Sequence, residues 1–138
     1  MRKVENFARA VDNLRTVESL GAPYTPLQLA GIANLFEIAF ELSWKAMKET
    51  LSRYGYDTAK RMGSPQGVIQ IAYQVGMVDD EVGWVQMLED RSTLSHVYDE
   101  NIALDVVERA RTQHLRLFEV LAGELAENWP LDLPGEVG

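Results

Sequence analysis

Residues 89–100 read EDRSTLSHVYDE, the densest group of hydrogen-bonding and proton-transfer side chains in the chain. His96 titrates near neutral pH and can take or give a proton. Arg91 can hold a phosphate in its fork and offset the charge on a five-coordinate phosphorus. Ser92 and Ser95 can donate hydrogen bonds, and the Tyr98 hydroxyl can bind a base or accept a transferred group. Together these side chains suit metal-independent cleavage of a phosphodiester, with an RNA 2′-hydroxyl as internal nucleophile. They equally suit a helix junction, with Arg91 paired to Glu89, Asp90 or Asp99 and His96 bonded to backbone. Residue types alone leave both open.

Spacing adds a constraint. Arg91 and His96 are five residues apart, which on an unbroken helix sets them about 140° apart around the axis. Sharing a site requires a bend near Ser92 and Thr93, whose side chains weaken a helix, or a meeting across a dimer axis. Arg91 and Tyr98, seven apart, nearly share a face.

The other polar groups read more plainly. His114 lies near an apolar helical stripe and reads as a structural histidine. With 2 histidines, no cysteine and no HxxE or HxxxH pair, no metal site is expected. The run Asp79, Asp80, Glu81 is an acidic helix start. Lys45, Lys48 and Arg53 can line a phosphate path but are also what a solvated face looks like. Trp44 and Trp84 read as core or interface anchors. GSPQG is a loop and cap rather than a phosphate-binding loop, and no cofactor is expected.

The elements that must position these groups are helices, with no strand alternation. Val4, Phe7, Val11, Leu14 and Val17 recur at steps of three and four, predicting a helix over 3–20 that stops at Gly21. Thr25, Pro26 and Gln28 form a capping-box start for a helix running to 54. Leu35, Phe36, Ile38, Ala39, Phe40, Leu42, Trp44, Ala46, Met47 and Leu51 make it apolar on more than one side. Such a helix is central to the core or also forms a subunit interface. Ser64 and Pro65 open a short helix to 75, and Asp79 or Asp80 caps a fourth that leads into the 89–100 run. A last long helix spans 100–128, with Ile102, Val106, Ala110, Leu117, Leu121 and Leu125 as its stripe. The expectation is an all-α, up-and-down bundle of about five helices. It forms one domain over 1–129, with a flexible tail over 130–138.

Composition narrows the function. A net charge of −8 excludes a general nucleic-acid coat, because phosphate contacts need a basic surface. No apolar run approaches the roughly 18 residues that span a bilayer, and the first residues lack the apolar segment of a signal peptide. No membrane association and a cytoplasmic location are therefore expected, and the absence of cysteine fits a reducing interior.

FEIAFELSWKAMKETL, GSPQGVIQIAYQVGMVDD and MLEDRSTLSHVYDE together resemble the nucleotidyltransferase substrate-binding family, small helical proteins of the HEPN superfamily. The resemblance covers roughly residues 4–118, and its most specific part is R-x4-H-x-Y, matched by Arg91, His96 and Tyr98. It implies a HEPN bundle that forms a homodimer, with the motif lining a cleft near the dimer interface. It further implies a minimal nucleotidyltransferase as partner, and RNA or a nucleotide as substrate or ligand. In toxin members the motif Arg and His carry metal-independent ribonuclease activity. That gives Arg91 the phosphate role and His96 the acid/base role, with Ser92, Ser95 and Tyr98 binding substrate. In some toxin–antitoxin pairs the partner adds AMP to the motif tyrosine, here Tyr98. An older view of this branch makes the helical protein a non-enzymatic subunit that presents nucleotide to the transferase. The chain has Ser92 and Val97 where family members often carry Asn and Thr.

Overall fold

Thr25 begins the longest helix. Its hydroxyl accepts from the Gln28 N–H at 3.1 Å, while the Gln28 side chain accepts from the Thr25 N–H at 2.9 Å. Pro26 fills the first turn, where its missing N–H costs nothing. The computed structural model describes residues 2–56, 61–96 and 99–131, the His96 side chain excepted. In order, α1 is Arg2–Arg15, α2 Pro26–Arg53, α3 Pro65–Gln74, α4 Glu81–His96, α5 Glu100–Arg109 and α6 Leu115–Asn128. A 3-10 turn, Thr16–Ser19, follows α1, and a π turn, Ala110–His114, joins α5 to α6. With α5, the π turn and α6 forming one continuous rod, this is the expected all-α bundle of five helices, and the described residues include no strand.

The bundle is organised around α2. It packs against α1, α3, α4 and α5, and buries Ile32, Phe36, Ala39, Phe40, Ala46, Met47 and Leu51. The multi-sided apolarity is thereby explained, except at Leu27 and Ile38, which stay exposed. Helix α1 lays Phe7, Ala10, Val11 and Leu14 against α2 and α6. The expected 3–20 helix tightens into the 3-10 turn after Arg15 but keeps Val17 buried. At the centre, Phe118 meets Phe7 and Trp84 edge-on, with ring centroids 6.0 and 5.9 Å apart, and Phe36 at 6.2 Å. Trp84 is thus a core anchor.

Short connections hold the helices in place. Ser64 caps α3 by accepting the Gly67 N–H at 3.2 Å. A Cβ on Gly67 would stand 1.8 Å from the Arg61 carbonyl oxygen, so only glycine lets that connection pass. Gly76, at φ 83°, turns the chain out of α3. Asp80 caps α4 through the Gly83 N–H at 2.9 Å, and Asp99 caps α5 through the N–H of Asn101 at 2.8 Å. Helix α4 continues unbroken through Ser92 and Thr93. The bend considered for that point is absent, because both side chains are accommodated without interrupting the backbone ladder. Leu131 is buried, and the Tyr54 hydroxyl donates to the Pro130 carbonyl at 2.8 Å. The remainder of the expected tail, 132–138, lies outside the described residues.

Candidate functional site

Helix α4 carries residues 89–96 of the run along α2. Among the described residues, Arg91 is paired with none of its sequence neighbours. Its Nη2 lies 3.4 Å from Oε2 of Glu41, fifty positions earlier on α2. Glu41 is a hub: Oε2 also accepts from the Trp44 indole N–H at 3.2 Å, and Oε1 lies 3.4 Å from Lys45 Nζ. The Arg91, Glu41 and Lys45 side chains are 41%, 35% and 43% exposed. Pairs this open and this long contribute at most about 1 kcal/mol, because solvent screens them. Two cations therefore share one carboxylate loosely, and an incoming anion can take its place. Lys45, which the sequence offers as a phosphate-path residue or a solvated charge, stands beside Arg91's partner. Sequence reasoning does not find Glu41 and Trp44 as site residues, since only the packing of α2 on α4 brings them there.

The remaining motif residues separate into two sets. Arg91 and Ser95, four apart, share a face, and the Ser95 hydroxyl donates back to the Arg91 carbonyl at 3.3 Å. Ser92 is exposed, and its position shares a face with position 96, about 100° farther round. On this unbroken helix positions 91 and 96 do not converge within one chain. The His96 side chain and Tyr98 lie outside the described residues.

Directly behind Arg91 is a buried polar cluster. Asp90, 2% exposed, accepts from Arg109 Nε and Nη2, both at 2.8 Å, and from Gln86 Nε2 at 3.1 Å. Its Oδ2 lies 2.6 Å from Nε2 of His114, which is 1% exposed. Burial pushes the Asp90 carboxyl up, but hydrogen bonds from Arg109 and His114, with their charge, outweigh it and hold it at about 2. An ionised carboxylate only accepts, so His114 carries a proton on Nε2. The ring stacks on Phe36, centroids 5.2 Å apart, and Nδ1 has no partner among the described residues. His114 is structural, as expected, but it is fully buried and charge-linked.

Arg109 and His114 are again an Arg-x4-His pair. Here the spacing does converge, because the rod is locally a π turn. The Leu115 N–H bonds the Ala110 carbonyl, five residues back, and stacks residues five apart over one another. The signal for the cluster is an acid in apolar phase. Asp90 follows Trp84 and Met87 at steps of three on the buried face of α4. Two clefts flank these elements. One of about 420 Å³ lies between the start of α4 and the π turn, lined by Asp80, Gly83, Thr112, His114 and Arg116. Another of about 450 Å³, lined by Tyr24, Leu29, Glu100, Asn101 and Leu104, lies where the chain resumes after Tyr98.

Comparison with known proteins gives this arrangement a context. The family model "Nucleotidyltransferase substrate binding protein like" matches residues 2–127. The Haemophilus influenzae protein named "Probable ribonuclease HepT" is 31% identical over 80 residues, 56% of this chain and 54% of that one. The match thus spans about half the length of that curated relative. A crystal structure from Thermus thermophilus superposes with a TM-score of 0.76 at 30% identity, covering 86% of this chain and 98% of the other. A second structure, from Haemophilus influenzae, has a TM-score of 0.76 at 22% identity and covers 90% and 99%. It is described as revealing the fold of a substrate-binding domain of a nucleotidyltransferase, and at that identity the likeness is one of fold.

Proposed function

The chain belongs to the nucleotidyltransferase substrate-binding family, and on that premise we propose that it is a HEPN-type toxin, a metal-independent endoribonuclease neutralised by a partner minimal nucleotidyltransferase. The observation that carries this reading is the Arg91 site. A guanidinium on an unbroken helix faces α2, held among the described residues only by a partly exposed carboxylate that also draws in Lys45. A phosphodiester can displace Glu41 and meet both cations, which then stabilise the charge that grows on phosphorus. His96 takes the proton of the 2′-hydroxyl as the 2′ oxygen attacks. The bond from phosphorus to the 5′ oxygen breaks, and that oxygen leaves with a proton drawn from water. The products are a 2′,3′-cyclic phosphate and a 5′-hydroxyl. The relative named as a ribonuclease supports the reading.

The geometry of α4 supports a homodimer. Positions 91 and 96 lie about 140° apart on one helix, so a site using both combines Arg91 of one copy with His96 of another. Leu27 and Ile38, eleven residues apart on α2 and both exposed, lie on one face of that helix and suit such a contact. Tyr98, two residues beyond His96, is the acceptor if the partner silences the toxin by adding AMP. Among the described residues no helix is long and apolar enough to cross a membrane.

The second reading, a non-enzymatic nucleotide-binding subunit of a two-component nucleotidyltransferase, is favoured by the openness of the Arg91–Glu41 pair, which serves binding as well as cleavage. Expression in a host lacking the partner separates the two. The toxin reading predicts growth arrest that Arg91→Ala and His96→Ala each abolish. Growth unaffected by the wild-type protein, with nucleotide affinity lost in Arg91→Ala, would assign the binding role.

A further inference from the structure

The buried Asp90 cluster is elaborate for a mere helix contact. It joins α4, the end of α5 and the π turn, and through the His114–Phe36 stack it reaches α2. Filling that space with apolar side chains is often as stabilising as a buried ion pair, so stability alone does not account for it. The π turn points the same way, since at this five-residue spacing a plain α-helix would set Arg109 and His114 about 140° apart. Asp90 also immediately precedes Arg91. Two side chains on consecutive helical residues are related by a fixed rotation of about 100°, so clamping one sets the direction of the other.

We propose that Asp90 is a positioning residue: held by Arg109 and His114, it fixes the rotation of α4 so that Arg91 is presented to α2 beside Glu41 and Lys45. The inference rests on the reading of Arg91 as the phosphate-binding group. Asp90 itself, 2% exposed, touches no substrate. Its four hydrogen bonds come from Arg109, His114 and Gln86, so any rotation or slide of α4 must break several at once. The Arg91–Glu41 contact is single, long and open, and cannot fix α4 by itself. Rigid support from behind and a loose pair in front let the guanidinium exchange Glu41 for phosphate without losing its place.

The test uses the full chain and Asp90→Asn, which keeps the shape and removes the charge. Three quantities are read: circular dichroism for the fold, the NMR signal of the Arg91 Nε–H, and turnover of a labelled RNA. The expected result is a helical, folded variant in which the Arg91 signal shifts and becomes more mobile, while the Arg15 signal is unchanged. Turnover should fall by roughly ten- to a hundredfold, the scale of a misplaced catalytic group, with KM little altered. A role in stability alone would lower the melting temperature and leave the Arg91 signal and the turnover of the folded fraction as in wild type, which would overturn the proposal. If Asp90→Asn does not fold, the same readings are made on His114→Gln, which leaves the Arg109 fork in place. A folded His114→Gln with an unmoved Arg91 signal would overturn it equally. If the wild-type protein cleaves no RNA, the ribonuclease reading fails. Positioning is then judged on the Arg91 signal and its titration with a 2′-deoxy dinucleotide, a phosphodiester that cannot be cleaved by internal attack.

Discussion

Arg109 and His114 stand five residues apart on a π turn and close on one buried carboxylate, with every contact at 2.8 Å or less. Arg91 and His96 stand at the same spacing on an uninterrupted α-helix, and Arg91 reaches only a half-exposed glutamate at 3.4 Å. One chain thus carries the Arg-x4-His pattern twice, in two backbone settings with opposite consequences. In the π turn the pattern is answered internally by Asp90, and only His114 Nδ1 is left without a partner among the described residues. On the α-helix it is left open, and its two positions point apart. The difference teaches that the spacing alone does not define a site; the backbone that carries it and the carboxylate that answers it do.

Breaking the buried pair should cost the most. Asp90→Ala leaves buried His114 and one-third-exposed Arg109 without their acceptor, and stability should fall by about 2–3 kcal/mol in urea denaturation.

Acid should find the buried cluster next. Asp90 is held at about 2, below its ordinary 3.8. A depressed carboxylate pKa contributes stability that is present above the unfolded value, here about pH 4, and is lost as pH falls through about 2. By linkage the amount is about 2 kcal/mol. Wild type should lose that increment between about pH 4 and 2, and Asp90→Asn should not. Equal losses would assign the acid sensitivity to other groups.

The exposed pair should barely register. Glu41→Gln is expected to change stability by less than about 1 kcal/mol, and to strengthen binding of a 2′-deoxy dinucleotide by a few fold, because Arg91 and Lys45 lose their competing anion. Weaker binding would show that Glu41 organises the two cations rather than competing for them.

Much of this contrast is hidden in the sequence, and for definite reasons. The helices are legible because their starts are local chemistry: the Thr25–Gln28 box, the Ser64 cap, and Asp80 ahead of Gly83. The core is legible because Phe7, Val11, Leu14 and their counterparts repeat at helical spacing. The π turn is not, since the buried positions Val106, Ala110, His114 and Phe118 run through it at steps of four, which an uninterrupted α-helix also allows. The partners of Asp90 and Arg91 are not, since Glu41, Arg109 and His114 reach them only through packing between helices. By sequence Asp90 is a candidate partner for Arg91, yet it points inward, because its position belongs to the buried stripe of Trp84 and Met87. Residue type singles out Arg91 and His96, and their roles come from a family resemblance. The spacing that argues against a shared face within one chain holds in the folded helix.

The most direct measurement is cleavage of an end-labelled RNA by the purified protein in EDTA, beside His96→Ala of matched melting temperature. The account predicts products ending in 2′,3′-cyclic phosphate from the wild type and none from the variant. Equal cleavage by both, or no cleavage by the wild type of RNA from the host whose growth it arrests, would contradict it.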